Sequence, residues 1–163
     1  MIGIDTFSWG KIIRLHKMKS WTNLIDEAMQ SVDWFVTVEG KKEFEHFHSE
    51  HITFLEYGTI LPVLDERYNH YISKGFDPND ASLLEYVDVL NYRIITEDRP
   101  MLLEGVTSKR NIICLIDFFS ELAYAHKFLT KKEMYHLTKL FRSWKNISKE
   151  KALALERMRP LGT

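Results

Sequence analysis

A single cysteine in 163 residues excludes a disulfide-stapled fold. Cys114 sits in the apolar run Asn111-Ile112-Ile113-Cys114-Leu115-Ile116, where a thiol reads as buried and inert rather than nucleophilic. An unbridged chain suits a cytoplasmic location. Long apolar runs are missing too: no stretch reaches the roughly 18 residues a membrane helix needs, so no membrane association is expected. The first residues, Met1-Ile2-Gly3-Ile4-Asp5, meet an acid at once and lack the basic region, apolar run and cleavage site of a secretory signal. They read as a first core strand. Charge of one sign is absent as well. Twenty-two Lys and Arg against 23 Asp and Glu leave a net charge of −1, so no global basic field points to nucleic acid, and any such binding must come from a local patch. With four prolines and seven glycines there is no linker, repeat or low-complexity tract, and residues 1–163 read as one domain.

What is present is an ordinary globular composition, 45% hydrophobic and 28% charged, long enough to bury a core. Short apolar strands are expected at Ile2 to Ile4, Trp34 to Val36, Arg93 to Thr96 and Ile112 to Ile116. Helical spacing marks about Trp9 to His16, a helix capped by Ser20, another capped by Thr37 with Phe44 and Phe47 as its apolar stripe, and about Val63 to Ser73 ending at Gly75. Asp77-Pro78-Asn79-Asp80 signals a helix start, with Asp77 as N-cap, Pro78 in the first turn and Leu83, Leu84, Val87 and Leu90 as the buried stripe. Further helices are expected over about Phe118 to Phe128, Lys132 to Ser143 and Lys149 to Met158. Between Ile52 and Leu64, Gly58 and Pro62 interrupt the pattern, leaving strand and helix both open. Strands alternating with helices define an α/β fold with a mainly parallel sheet covered on both faces.

Four acids, Asp5, Glu43, Asp80 and Asp98, fall where such a sheet opens its cleft, beyond the carboxyl ends of the strands. Each has a plainer reading except Asp5. Asp80 fits a capping box, Glu43 a solvated helix face, and Asp98 a turn before Pro100. An acid ending a buried strand seldom serves packing, and four such coincidences together point to a site. A cluster of carboxylates calls for a cation, and an all-oxygen set suits Mg²⁺ or Mn²⁺. Such ions act on phosphate esters, so phosphodiester hydrolysis is the expected chemistry.

At Ile4-Asp5-Thr6, Glu43-Phe44, Asp80-Ala81-Ser82-Leu83-Leu84 and Ile95-Thr96-Glu97-Asp98-Arg99, the sequence resembles the PIN-domain family, the nuclease fold of VapC-type toxins and related RNA-processing enzymes. The resemblance runs from residue 1 to about 116 and rests on the order of the four blocks. It implies a three-layer α/β/α sandwich in which Asp5, Glu43, Asp80 and Asp98 hold one or two Mg²⁺ or Mn²⁺ ions, with the hydroxyls of Thr6 and Thr96 supporting them. It also implies a metal-dependent endoribonuclease in which an activated water attacks RNA without a covalent intermediate. A homodimer, and restraint by a cognate antitoxin protein, follow from the same family. Glu39 is an alternative to Glu43, and the helical extension from about residue 117 exceeds a minimal domain of this type.

Lys11, Arg14, Lys17 and Lys19 follow the first strand and are candidates to hold RNA phosphates, as are Arg99 and the pair Lys109-Arg110; a solvated helix face is the plainer reading. His46 and His48 point different ways on a helix, which disfavours a histidine metal site with His51. Trp9, Trp21 and Trp34 read as core rather than as base-stacking groups. From other classes, a receiver-like phosphoryl-accepting domain would want adjacent acids after the first strand, where this chain has only Asp5. A non-catalytic PIN-like RNA-binding module would bind no metal.

Overall fold

The computed structural model describes residues 1–108, 110–124 and 129–157; Lys109 and the expected helix ends at Phe128 and Met158 lie outside the described residues. The chain divides into two compact units, Met1–Ile113 and Cys114–Thr163.

The first unit is an α/β fold. It contains β1 (Ile2–Ile4), α1 (Thr6–His16), α2 (Thr22–Ser31), β2 (Trp34–Thr37), α3 (Val38–His48), a 3₁₀ segment (Ser49–Tyr57) and β3 (Thr59–Leu61). There follow α4 (Tyr68–Ser73), α5 (Pro78–Leu90), β4 (Arg93–Ile95), α6 (Arg99–Ser108) and β5 (Ile112–Ile113). All five strands are parallel, in the order β3-β2-β1-β4-β5. Side chains alternate across the sheet, as the pleat requires. On β2, Trp34 meets Trp9 edge-on at 4.9 Å, and Trp9 in turn meets Phe44 at 5.6 Å. Its neighbour Phe35 joins the opposite core with Leu83, Leu84, Tyr86, Ile94 and Met101. Helices therefore cover both faces, giving the expected α/β/α sandwich, and the three tryptophans of this unit are core.

Because the chain leaves β1 toward β2 and β3 on one side and later adds β4 and β5 on the other, β1 and β4 are the neighbours at which the strand order reverses. In open parallel sheets the crevice opens beyond the carboxyl ends of the strands at such a point, where flanking loops diverge. Ile4 lies opposite Ile95 in that pair. Asp5 and Thr96 are the next residues of each strand.

Local signals decide where most helices start. The Thr37 hydroxyl accepts the Gly40 N–H at 3.0 Å, and the Asp77 carboxylate accepts the Asp80 N–H at 2.9 Å, so both expected caps are present. Ser20 is not a cap: α2 starts after Trp21, with no side-chain cap. The helix expected from Val63 begins only at Tyr68. Its first residues are instead held as a loop by the buried Glu85 carboxylate, which accepts the N–H groups of Leu64, Glu66, Arg67 and Tyr68 at 2.8, 2.7, 2.9 and 3.2 Å. Asp65 takes a left-handed conformation within that turn (φ 63°). Leu90, expected in the buried stripe of α5, is exposed, because the helix ends there on the left-handed Asn91. Residues 99–108 form a helix that sequence patterning left unassigned.

The second unit comprises α7 (Leu115–Tyr124), α8 (Lys131–Ser143) and α9 (Lys149–Arg157). The strand expected to run to Ile116 stops at Ile113, and Leu115 opens α7, with the Phe118 N–H bonded to the Cys114 carbonyl. Phe118, Phe119 and Leu122 of α7 and Met134, Leu137 and Phe141 of α8 are buried, at the helical spacing their positions predict. Cys114 is half-buried rather than buried. Its thiol donates to Asp117 at 3.0 Å, and burial, together with that carboxylate, pushes it up to about 12, so it stays protonated and unreactive. Among the described residues no helix is long and apolar enough to cross a membrane.

Candidate metal centre

Asp5 forms the floor of the crevice. It is 1% exposed, and it caps α1 by accepting the Ser8 N–H at 2.7 Å on one oxygen. The other oxygen accepts the Thr96 hydroxyl and, at 3.3 Å, the Glu97 N–H. Burial pushes the Asp5 carboxyl up, and these donors only partly offset it. The Thr96 hydroxyl also accepts the Asp98 N–H at 3.0 Å, and the Asp98 carboxylate accepts the Met101 N–H at 3.2 Å, capping α6. One threonine thus links the acids that follow β1 and β4.

A second chain of bonds spans α1, α3 and α5. The Asn79 amide donates to the Thr6 hydroxyl at 3.2 Å and to the Glu43 carboxylate at 2.6 Å. Ser82 donates to the Asn79 carbonyl at 2.7 Å and meets the Thr37 hydroxyl at 2.6 Å. Gly40 is required where α3 approaches this network, since a Cβ there would lie 2.7 Å from the Asn79 side-chain oxygen. Glu43 joins this network, whereas Glu39 pairs with Lys42, 2.7 Å away.

Asp80 is the odd member. Half-buried at the first turn of α5, its carboxyl accepts no hydrogen bond among the described residues. It is pushed up to about 8, first by burial and then by the negative charges of Asp77, Asp5, Asp98 and Glu43. Nothing lowers it. Asp80 thus feels all three other predicted acids, and the box that would have returned its side chain to the Asp77 N–H is not made. Its place in the first turn of α5 is one that a helix N-terminus favours for an acid, without a hydrogen bond to hold the side chain.

The donor chemistry fits a hard cation, being all oxygen, anionic and short of positive partners. The spacing is not that of a closed cage: among the described residues no three His, Cys, Asp or Glu side chains are grouped to hold an ion. His46 is exposed, and His48 is used otherwise, donating to the Thr6 carbonyl at 3.3 Å.

Of the cations expected near the crevice, Lys11 is engaged with Glu97 at 2.7 Å. Arg14 and Lys17 line a hollow further along α1, and Arg99 is exposed at the start of α6. Arg110 pairs with Asp88 away from the crevice. Sequence reasoning missed Asn79 and Ser82. Their signal is a polar pair at i, i+3 in register with Leu83 and Tyr86 on the buried side of α5, where unpaired polar groups are costly. No family model, curated protein or solved structure matches the chain.

Proposed function

We propose that this chain is a divalent-metal-dependent endoribonuclease of the PIN type, with Asp5, Glu43, Asp80 and Asp98 at its centre. The observation that supports the reading is Asp80, a half-buried carboxyl that accepts no hydrogen bond among the described residues and is raised by burial and by the charges of Asp77, Asp5, Asp98 and Glu43, at the carboxyl-end side of a parallel sheet. Such a group is unfavourable for the fold, and a cation or a proton is what relieves it. Glu43, Asp80 and Asp98 are half-buried at the rim, where they would hold Mg²⁺ or Mn²⁺ with Asp5 below them; occupancy requires their side chains to turn inward. A bound ion would polarise a phosphodiester and lower the pKa of water. The chain's own contribution is positional. Thr96 and the Ser8 and Glu97 N–H groups fix Asp5, while Asn79 fixes Glu43 and ties it to Thr6.

The test is cleavage of a fluorescent single-stranded RNA with Mg²⁺ or Mn²⁺ by the parent, Asp5→Asn and Asp98→Asn. Loss of at least a hundredfold in both variants is expected, on the scale of removing a principal electrostatic group. Equal activity in all three removes the catalytic assignment.

A further inference from the structure

Two exposed phenylalanines border the crevice. Phe7, two residues after Asp5, is 70% exposed, and Phe47, one turn beyond Glu43 on α3, is 63% exposed. A lone exposed ring is ordinary on a protein surface. These two, however, line one hollow of about 230 Å³, whose other walls are Thr6, Gly10, Glu43 and His48. Thr6 and Glu43 are the residues bridged by Asn79, so the hollow opens off the carboxylate network. His48 is held at its edge by the Thr6 carbonyl and by an edge-on contact with Phe44 at 5.3 Å. A second hollow of about 440 Å³ shares Gly10, Phe47 and His48, and its walls include Arg14, Lys17, Glu50 and His51.

Gly10 stands where the hollows meet. Glycine inside a helix destabilises it relative to alanine. A Cβ at this position would meet only His48, at 3.5 Å, an ordinary contact, so packing does not demand glycine. Its consequence is an open passage. A crevice of four carboxylates also repels phosphate, and a chain of net charge −1 offers no general attraction, so affinity for a polyanion has to come from beside the centre. Aromatic faces accept any base, and Arg and Lys side chains accept phosphates.

We infer that the two hollows form a track for single-stranded RNA, in which a base stacks on Phe7 and Phe47 and an adjoining phosphate lies at Arg14 and Lys17. The track takes its substrate class from the nuclease reading above, and it leads the next phosphodiester to the carboxylates.

The experiment is fluorescence anisotropy of 5′-fluorescein octauridylate with the full chain in EDTA, where no metal-dependent cleavage occurs. Phe7→Ala and Phe47→Ala should each weaken binding by about 5- to 100-fold, the range for loss of one stacked base, while Phe47→Trp keeps the parent affinity. The double variant Arg14→Gln/Lys17→Gln should flatten the dependence of log affinity on log salt by about 0.7, the value for one phosphate contact on a single strand. The track is overturned if the parent does not bind at millimolar concentration or if both alanine variants bind as it does, an outcome that leaves these hollows to another class of ligand. The two readings fail separately. Phenylalanine-dependent binding without Asp5-dependent cleavage keeps the track and removes the nuclease. Asp5-dependent cleavage with phenylalanine-independent binding does the reverse.

Discussion

Helix α5 carries two carboxylates five residues apart that have met opposite fates. Glu85 is fully buried, yet it accepts four backbone N–H groups from the turn before α4, which supply the partial positive charge a carboxylate needs. Asp80 is less buried, accepts no hydrogen bond among the described residues, and is raised by burial and by the charges of four other acids, Asp77, Asp5, Asp98 and Glu43. Burial alone therefore does not set the state of a carboxylate on this helix; the supply of donors does. Glu85 organises a loop and contributes stability, whereas an ionised Asp80 costs stability, and the proposed cation would offset that cost.

The largest expected effect breaks the structural half of this contrast. Glu85→Ala leaves four N–H groups without their acceptor and should cost about 3–5 kcal/mol in denaturant unfolding, on the scale of a broken buried charge network. A loss under about 1 kcal/mol would mean that water replaces the carboxylate and that the turn orders itself. Asp80→Asn should act in the opposite direction. The folded-state value of about 8 lies above an unfolded value near 3.9, so the protonated acid favours folding below about pH 4, and this contribution is lost as pH rises through 8. The parent should therefore lose about 1–3 kcal/mol relative to Asp80→Asn between pH 4 and 9, less than the full shift implies because the group is partly solvated, while cleavage by the variant falls. Parallel stability curves for the two proteins across that range would erase the contrast.

Asn79→Ala sharpens it further. Losing the donor shared by Thr6 and Glu43 should cost about 1–2 kcal/mol and lower cleavage through a misplaced Glu43, whereas unchanged cleavage would make Asn79 a packing residue only. The smallest effect belongs to the outer face of α3. Glu39→Gln, at an exposed pair with Lys42, should change neither unfolding nor cleavage, while Glu43→Gln lowers cleavage. The reverse pattern would exchange their roles.

How much of this was legible in the sequence follows the range of the interactions. Asp5 and Asp98 follow short apolar runs, and Thr37 and Asp77 are caps whose partners lie three residues on, so local patterning found them. Asn79 was not legible as a bridge, because its partners lie 73 and 36 residues away. The late start of α4 was hidden for a different reason. Its cause is a distant carboxylate binding backbone N–H groups, which every residue but proline carries. Phe47 read as core alongside Phe44, but Phe44 packs on Trp9 while Phe47 faces Gly10, which offers no side chain to cover it.

The central claim is that Asp80 is left without donors so that the four acids can share a cation. Anomalous diffraction from a crystal soaked in Mn²⁺ at neutral pH, where the cation itself would favour the ionised Asp80, tests it most directly. The account predicts a Mn²⁺ peak coordinated by carboxylate oxygens of Glu43, Asp80 and Asp98 above Asp5, absent in crystals of Asp80→Asn. No peak among these acids at millimolar Mn²⁺, with Asp80 remaining unpaired, would contradict it.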